Sequence, residues 1–66
     1  RGRVAFVVEI KSKKNLTVND LSALRRVADD FPEARRLVLC QEDRPRITED
    51  NIEVFPWAEG IEVILS

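Results

Sequence analysis

Arg36-Leu37-Val38-Leu39-Cys40 is a continuous apolar run entered from an arginine and left through the polar Gln41-Glu42-Asp43. A run without polar alternation reads as a short strand covered on both faces, the pattern of a parallel sheet with helices above and below. What precedes it supports that reading. Pro32 lacks an amide hydrogen and disfavours helical geometry at Phe31, so it ends a helix just upstream. In that helix Leu21, Leu24, Ala28 and Phe31 recur at helical spacing, while Arg25, Arg26, Asp29 and Asp30 occupy the other side. Its start is predicted at Leu16-Thr17-Val18-Asn19-Asp20, with Thr17 as N-cap and Asp20 at the capping-box position, and it runs to about Asp30. Further upstream, Val4 to Ile10 are β-branched, aromatic or small apart from Glu9, and read as a first strand, also covered on both faces. A crossover through a helix makes its two strands parallel and brings their carboxyl ends to one edge.

Downstream, residues 41–51 are polar and read as a surface loop containing Pro45 and four acidic residues. Ile52-Glu53-Val54-Phe55 alternates as a third strand and stops at Pro56. Beyond it two readings stand open. Pro56 ahead of Trp57-Ala58-Glu59 favours a terminal helix with Trp57, Ile61 and Leu65 packing on one face; Gly60 and the run Ile61-Glu62-Val63-Ile64 argue for a strand. The helix is the preferred one. The expected fold is a small, mostly parallel α/β sheet with a β-α-β crossover.

At 66 residues the chain is a single small domain, and one of that size buries only about 60% of its unfolded surface. One cysteine and no histidine leave no internal disulfide and no structural zinc cluster, so added stability has to come from a partner chain, and a homo-oligomer is expected. The start at Arg1-Gly2-Arg3 and the lack of methionine read as a partial domain, residues 1–66, cut from something longer. A lone Cys40 suits a reducing, cytoplasmic setting. No apolar run approaches the roughly 20 residues of a membrane span. The net charge of −1 argues against strong nonspecific nucleic-acid binding, yet it is unevenly spread: the first fourteen residues balance to +4 and the rest to −5. Lys13 and Lys14 in the basic segment are candidates for phosphate contact, beside the plainer reading of a solvated rim.

Side chains alternate along a strand, so Glu9 and Lys11 share one face at the carboxyl end of the first strand while Ile10 points to the other. Ligands of open parallel sheets gather beyond that edge, where the second strand also delivers Gln41, Glu42 and Asp43. Carboxylates and amide oxygens are the donors that a hard cation such as magnesium takes, and an ammonium beside it can orient water or offset charge on a phosphate. The alternative is a pair of neighbours whose charges compensate each other at a solvated sheet end.

Glu9-Ile10-Lys11, after an apolar strand and before a helix and a second strand, resembles the E-x-K half of the PD-(D/E)-x-K nuclease motif. The succession Val7-Val8-Glu9-Ile10-Lys11-Ser12, then Asp20-Leu21 with Leu24, then Phe31-Pro32-Glu33-Ala34-Arg35-Arg36, then Ile52-Glu53-Val54 with Pro56-Trp57, extends the likeness over nearly the whole chain. It is similar to the C-terminal restriction-endonuclease-like domain behind the ATPase module of a prokaryotic AAA+ ATPase family. The resemblance implies Glu9 as metal-binding carboxylate, Lys11 as catalytic lysine, Mg2+ as cofactor, an ATPase module of the same parent chain as partner, and DNA as substrate. In that pattern an aspartate on the preceding strand completes the site, and this chain has no acidic residue before Glu9. Either the missing strand lies upstream of Arg1 or the site is degenerate, with Gln41 or Glu42 as substitute ligands. No P-loop is present, so ATP hydrolysis is not expected of these residues. Two functions follow as expectations: a noncatalytic module binding DNA or a protein, preferred because half the metal site is missing, and metal-dependent phosphodiester hydrolysis. A third reading is dimerisation through an exposed sheet edge or through Trp57.

Overall fold

The computed structural model describes residues 5–66. In chain order these form β1 (Phe6–Ile10), a 3-10 turn (Asn19–Leu21) continued by α1 (Ser22–Ala28), β2 (Arg35–Cys40), β3 (Arg46–Ile47), β4 (Ile52–Pro56) and α2 (Trp57–Leu65). The sheet order is β1-β2-β4-β3, with β1 and β4 parallel to the central β2 and β3 antiparallel to β4. The crossover and the three parallel strands are as the sequence implies. The sheet as a whole is mixed, because the stretch expected to be only loop contributes a two-residue strand. That hairpin closes through Thr48: its backbone N–H donates to the Ile52 carbonyl, and its hydroxyl accepts from the Ile52 N–H, both at 3.0 Å. Asn51 completes the turn at a φ of 66°, in the left-handed region that asparagine tolerates better than most residues.

Strand alternation divides the core into two layers. On one face Val38, Cys40, Ile52 and Val54 pack with Leu21 and Leu24, and Val7 and Leu16 border the cluster. On the other face α2 lies against β2 and β4, where Leu37 and Leu39 are buried. Gly60 allows that close approach, since a Cβ there would overlap Leu39 Cδ2 and stand 3.1 Å from Phe55 Cβ. Each fully buried Leu, Ile or Val contributes on the order of 1.5–3 kcal/mol, so β2, apolar on both sides, is the energetic centre.

Three local expectations change. The helix after Thr17 opens as a 3-10 turn and its α-helical part ends at Ala28, leaving Phe31 exposed on the following turn. The Thr17 hydroxyl does not cap it, but Asp20 makes its expected half of the capping box, its carboxylate accepting from the Thr17 backbone N–H at 2.8 Å and also from the Thr17 hydroxyl at 3.0 Å. The tail is helical, but the side chains at Trp57, Ile61 and Leu65 remain exposed while Gly60, with Val63 and Ile64 half-buried, turns to the sheet. Finally, β1 is an edge strand rather than one covered on both faces, and Val8 and Ile10 are 38% and 56% exposed.

Candidate functional site

The parallel strands end at Ile10, Cys40 and Pro56 on a common edge, as the crossover requires. Glu9 and Lys11 do share a face there. Lys11 Nζ lies 3.8 Å from Glu9 Oε2, and each side chain is about one-third exposed. At that separation the two charges offset one another while both remain wetted. The chain past β1 stays beside β2, with the Lys11 N–H donating to the Leu39 carbonyl (2.9 Å) and the Gln41 N–H to the Lys13 carbonyl (2.8 Å).

Glu42 reaches this edge too, but for another purpose. Its Oε2 accepts from the Leu16 N–H at 2.8 Å and from Arg46 Nη2 at 3.0 Å, and its Oε1 accepts from Arg46 Nε at 2.9 Å. Arg46 in turn donates to the Leu16 carbonyl at 3.4 Å. The pair therefore clips both backbone groups of Leu16, joining the segment before the 3-10 turn to the β2–β3 connection. Hydrogen bonding from Arg46 holds the Glu42 carboxyl below the ordinary carboxylate range, against the opposing effect of burial. Lys13 is likewise engaged: its ammonium spans both Asp20 oxygens at 2.9 Å, which with the Thr17 N–H lowers the Asp20 pKa to about 2. Lys14 and Asp43 line a shallow cleft of about 600 Å³ between the Leu16 segment and the β2–β3 connection.

Magnesium needs several free oxygens in near-octahedral array. Glu9 offers one carboxylate with an ammonium beside it, and Glu42 is already spent on Arg46 and Leu16. Among the described residues no group of three or more His, Cys, Asp or Glu side chains could hold a metal ion. The described residues do not by themselves make up a complete magnesium centre. Two arginines elsewhere are similarly engaged by carboxylates, Arg25 by Asp50 and Arg35 by Glu53, with Arg35 also stacked 5.5 Å over the Phe6 ring.

The feature that the sequence offered only as a third reading, through a sheet edge or Trp57, is apolar. On the α2 side of the sheet, Val8 and Ile10 form an uncovered strip on β1, and Trp57, Ile61 and Leu65 form a stripe along α2 at 41%, 39% and 78% exposure. Crossovers of this kind are right-handed in nearly all cases, and that hand turns the α2 stripe towards β1 rather than β3. The sequence signal was present: an i, i+4, i+8 stripe on a helix that Gly60 forces to pack elsewhere. Comparison with protein-family models, curated proteins and solved structures finds no match.

Proposed function

We propose that this chain is a noncatalytic binding module whose partner is a protein and whose contact surface is the outer edge of β1 with the adjoining apolar stripe of α2. The observation that carries this reading is the exposure of Val8, Ile10, Trp57, Ile61 and Leu65 on one side of a sheet whose β1 edge no described strand covers. Edge strands with free N–H and C=O groups are templates for pairing, and half-exposed aromatic and aliphatic side chains are the anchors that interfaces use. The catalytic alternative loses support at the carboxyl edge, where Glu9 and Lys11 compensate each other and Glu42 serves as a clip. DNA binding loses support because Lys13, Arg25, Arg35 and Arg46 are each held by a carboxylate. The nuclease resemblance fits this reading as ancestry, with Glu9 and Lys11 as relics and an ATPase module of the parent chain as the neighbour it serves.

Calorimetric titration of manganese into the wild type and into Glu9→Gln, with DNA retention measured against salt, tests the reading. The expected outcome is no Glu9-dependent ion and no salt-sensitive retention. One manganese ion that disappears in Glu9→Gln would restore the metal-site reading. Retention that falls with salt and with Lys13→Ala plus Lys14→Ala would make DNA the partner.

A further inference from the structure

We propose that the partner is a second copy of this chain, joined edge to edge at the carboxyl end of β1 about a two-fold axis at Ile10, so that residues 8–10 of each copy run antiparallel to residues 10–12 of the other; this rests on the β1 edge being the contact surface. The backbone fixes which registers are possible. Lys11 donates its N–H to Leu39 and Ala5 accepts from the Arg35 N–H, at 2.9 and 3.0 Å, so the odd-numbered residues of β1 point their backbone groups at β2. Phe6, Val8 and Ile10 therefore direct theirs outward, and a second β1 must pair even residue with even residue.

Three central registers satisfy that rule, and charge separates them. A two-fold at Glu9 sets two carboxylates directly opposite, which is repulsive. A two-fold at Val8 sets Glu9 opposite Val7 and Lys11 opposite Ala5 of the other copy, desolvating charges without giving them partners. A two-fold at Ile10 sets Glu9 opposite Lys11, and Lys11 opposite Glu9, in non-hydrogen-bonded positions where Cα atoms approach to about 4.5 Å and side chains meet most closely. The same register stacks Ile10, the most exposed side chain of β1, on its own copy, with two mutual backbone hydrogen bonds at that pair. Both copies then present their α2 stripes on the same side of one continuous sheet.

The other edge cannot do this. β3 has two residues, follows Pro45, and carries Arg46, whose guanidinium is committed to Glu42. The paired stretch, residues 8–12, holds no Pro or Gly, and its single Lys, Lys11, meets Glu9 of the other copy in this register.

Sedimentation equilibrium of four samples tests the proposal: wild type, Glu9→Lys, Lys11→Glu, and an equimolar mixture of the two variants. The wild type is expected to dimerise. Each variant alone puts like charges opposite one another and is expected to dimerise at least about tenfold more weakly. The mixture restores Lys-to-Glu contacts at both positions and is expected to recover the dimer. Because the substitutions could unsettle the fold, hydrogen exchange of the Val8 and Ile10 amides is measured in the wild type across a concentration series and should slow as protein concentration rises. A monomeric wild type, or concentration-independent exchange at these amides, overturns the second copy as partner without touching the noncatalytic reading, which the metal and DNA titrations decide. A wild-type dimer indifferent to both charge reversals overturns the register.

Discussion

Glu42→Ala removes three hydrogen bonds at once, those from the Leu16 N–H and from Arg46 Nε and Nη2. A hydrogen bond to a charged group is worth about 1.5–3 kcal/mol, but the three do not add. The Arg46 side chain is 43% exposed, so water replaces most of what the guanidinium loses. The Leu16 amide is the group left stranded, and the expected cost is about 1–3 kcal/mol. A chain of this length has roughly 3–10 kcal/mol of total stability, so the change is large enough to read directly. Glu42→Gln keeps an oxygen for Leu16 and loses the charge, at a cost of about 1 kcal/mol. The pH dependence has a definite sign. The Glu42 carboxyl is depressed in the folded protein, so its contribution is complete above the unfolded value of about 4.3 and fades as pH falls through the lowered folded value. Urea unfolding followed by far-UV circular dichroism at pH 7 and at pH 3 should show the gap between wild type and Glu42→Gln narrowing in acid. An unchanged midpoint for Glu42→Ala at pH 7, or a gap that widens in acid, would refute the clip.

Three further outcomes are expected. Gly60→Ala should destabilise by up to about 2 kcal/mol, because overpacking against Leu39 and Phe55 outweighs the roughly 1 kcal/mol that alanine gains in a helix; a raised melting temperature would contradict the close packing. Lys13→Ala should return the Asp20 carboxyl from about 2 towards the ordinary value near about 3.9, read by NMR titration, and an unmoved Asp20 would remove Lys13 as the main cause. Cys40, fully buried and with its thiol pushed up by burial, should react with a thiol reagent only as fast as the fold opens, so rapid labelling at neutral pH would place the sulfur nearer the surface than described.

What was legible in the sequence is tied to strong local rules. The unbroken Leu37–Cys40 run marked the central strand, Pro32 the end of the helix region, and Pro56 the entry to α2. Placement of Glu9 and Lys11 on one face followed from strand alternation alone. What was not legible depends on distant neighbours. Nothing near Val8 or Ile10 distinguishes an edge strand from a central one, since that depends on which strands pair beyond it. Glu42 looked like a ligand because Leu16, distant from it in the chain, comes within reach only when the loop folds back. Trp57, Ile61 and Leu65 looked like a packing face because their spacing is helical; Gly60, the one residue slim enough to let α2 sit on Leu39, redirects the helix.

The two ends of the sheet order, β1 open along five residues and β3 closed after two, set a limit on stoichiometry. A sheet receptive at both ends can add strands indefinitely and grow into a fibre. One receptive at a single end is saturated when a second copy of the same chain supplies the strand, because both far ends are then β3. In the proposed dimer the short β3 hairpin, held by Thr48 and the Glu42–Arg46 clip, would lie at both outer ends of the joined sheet and end its growth at two copies.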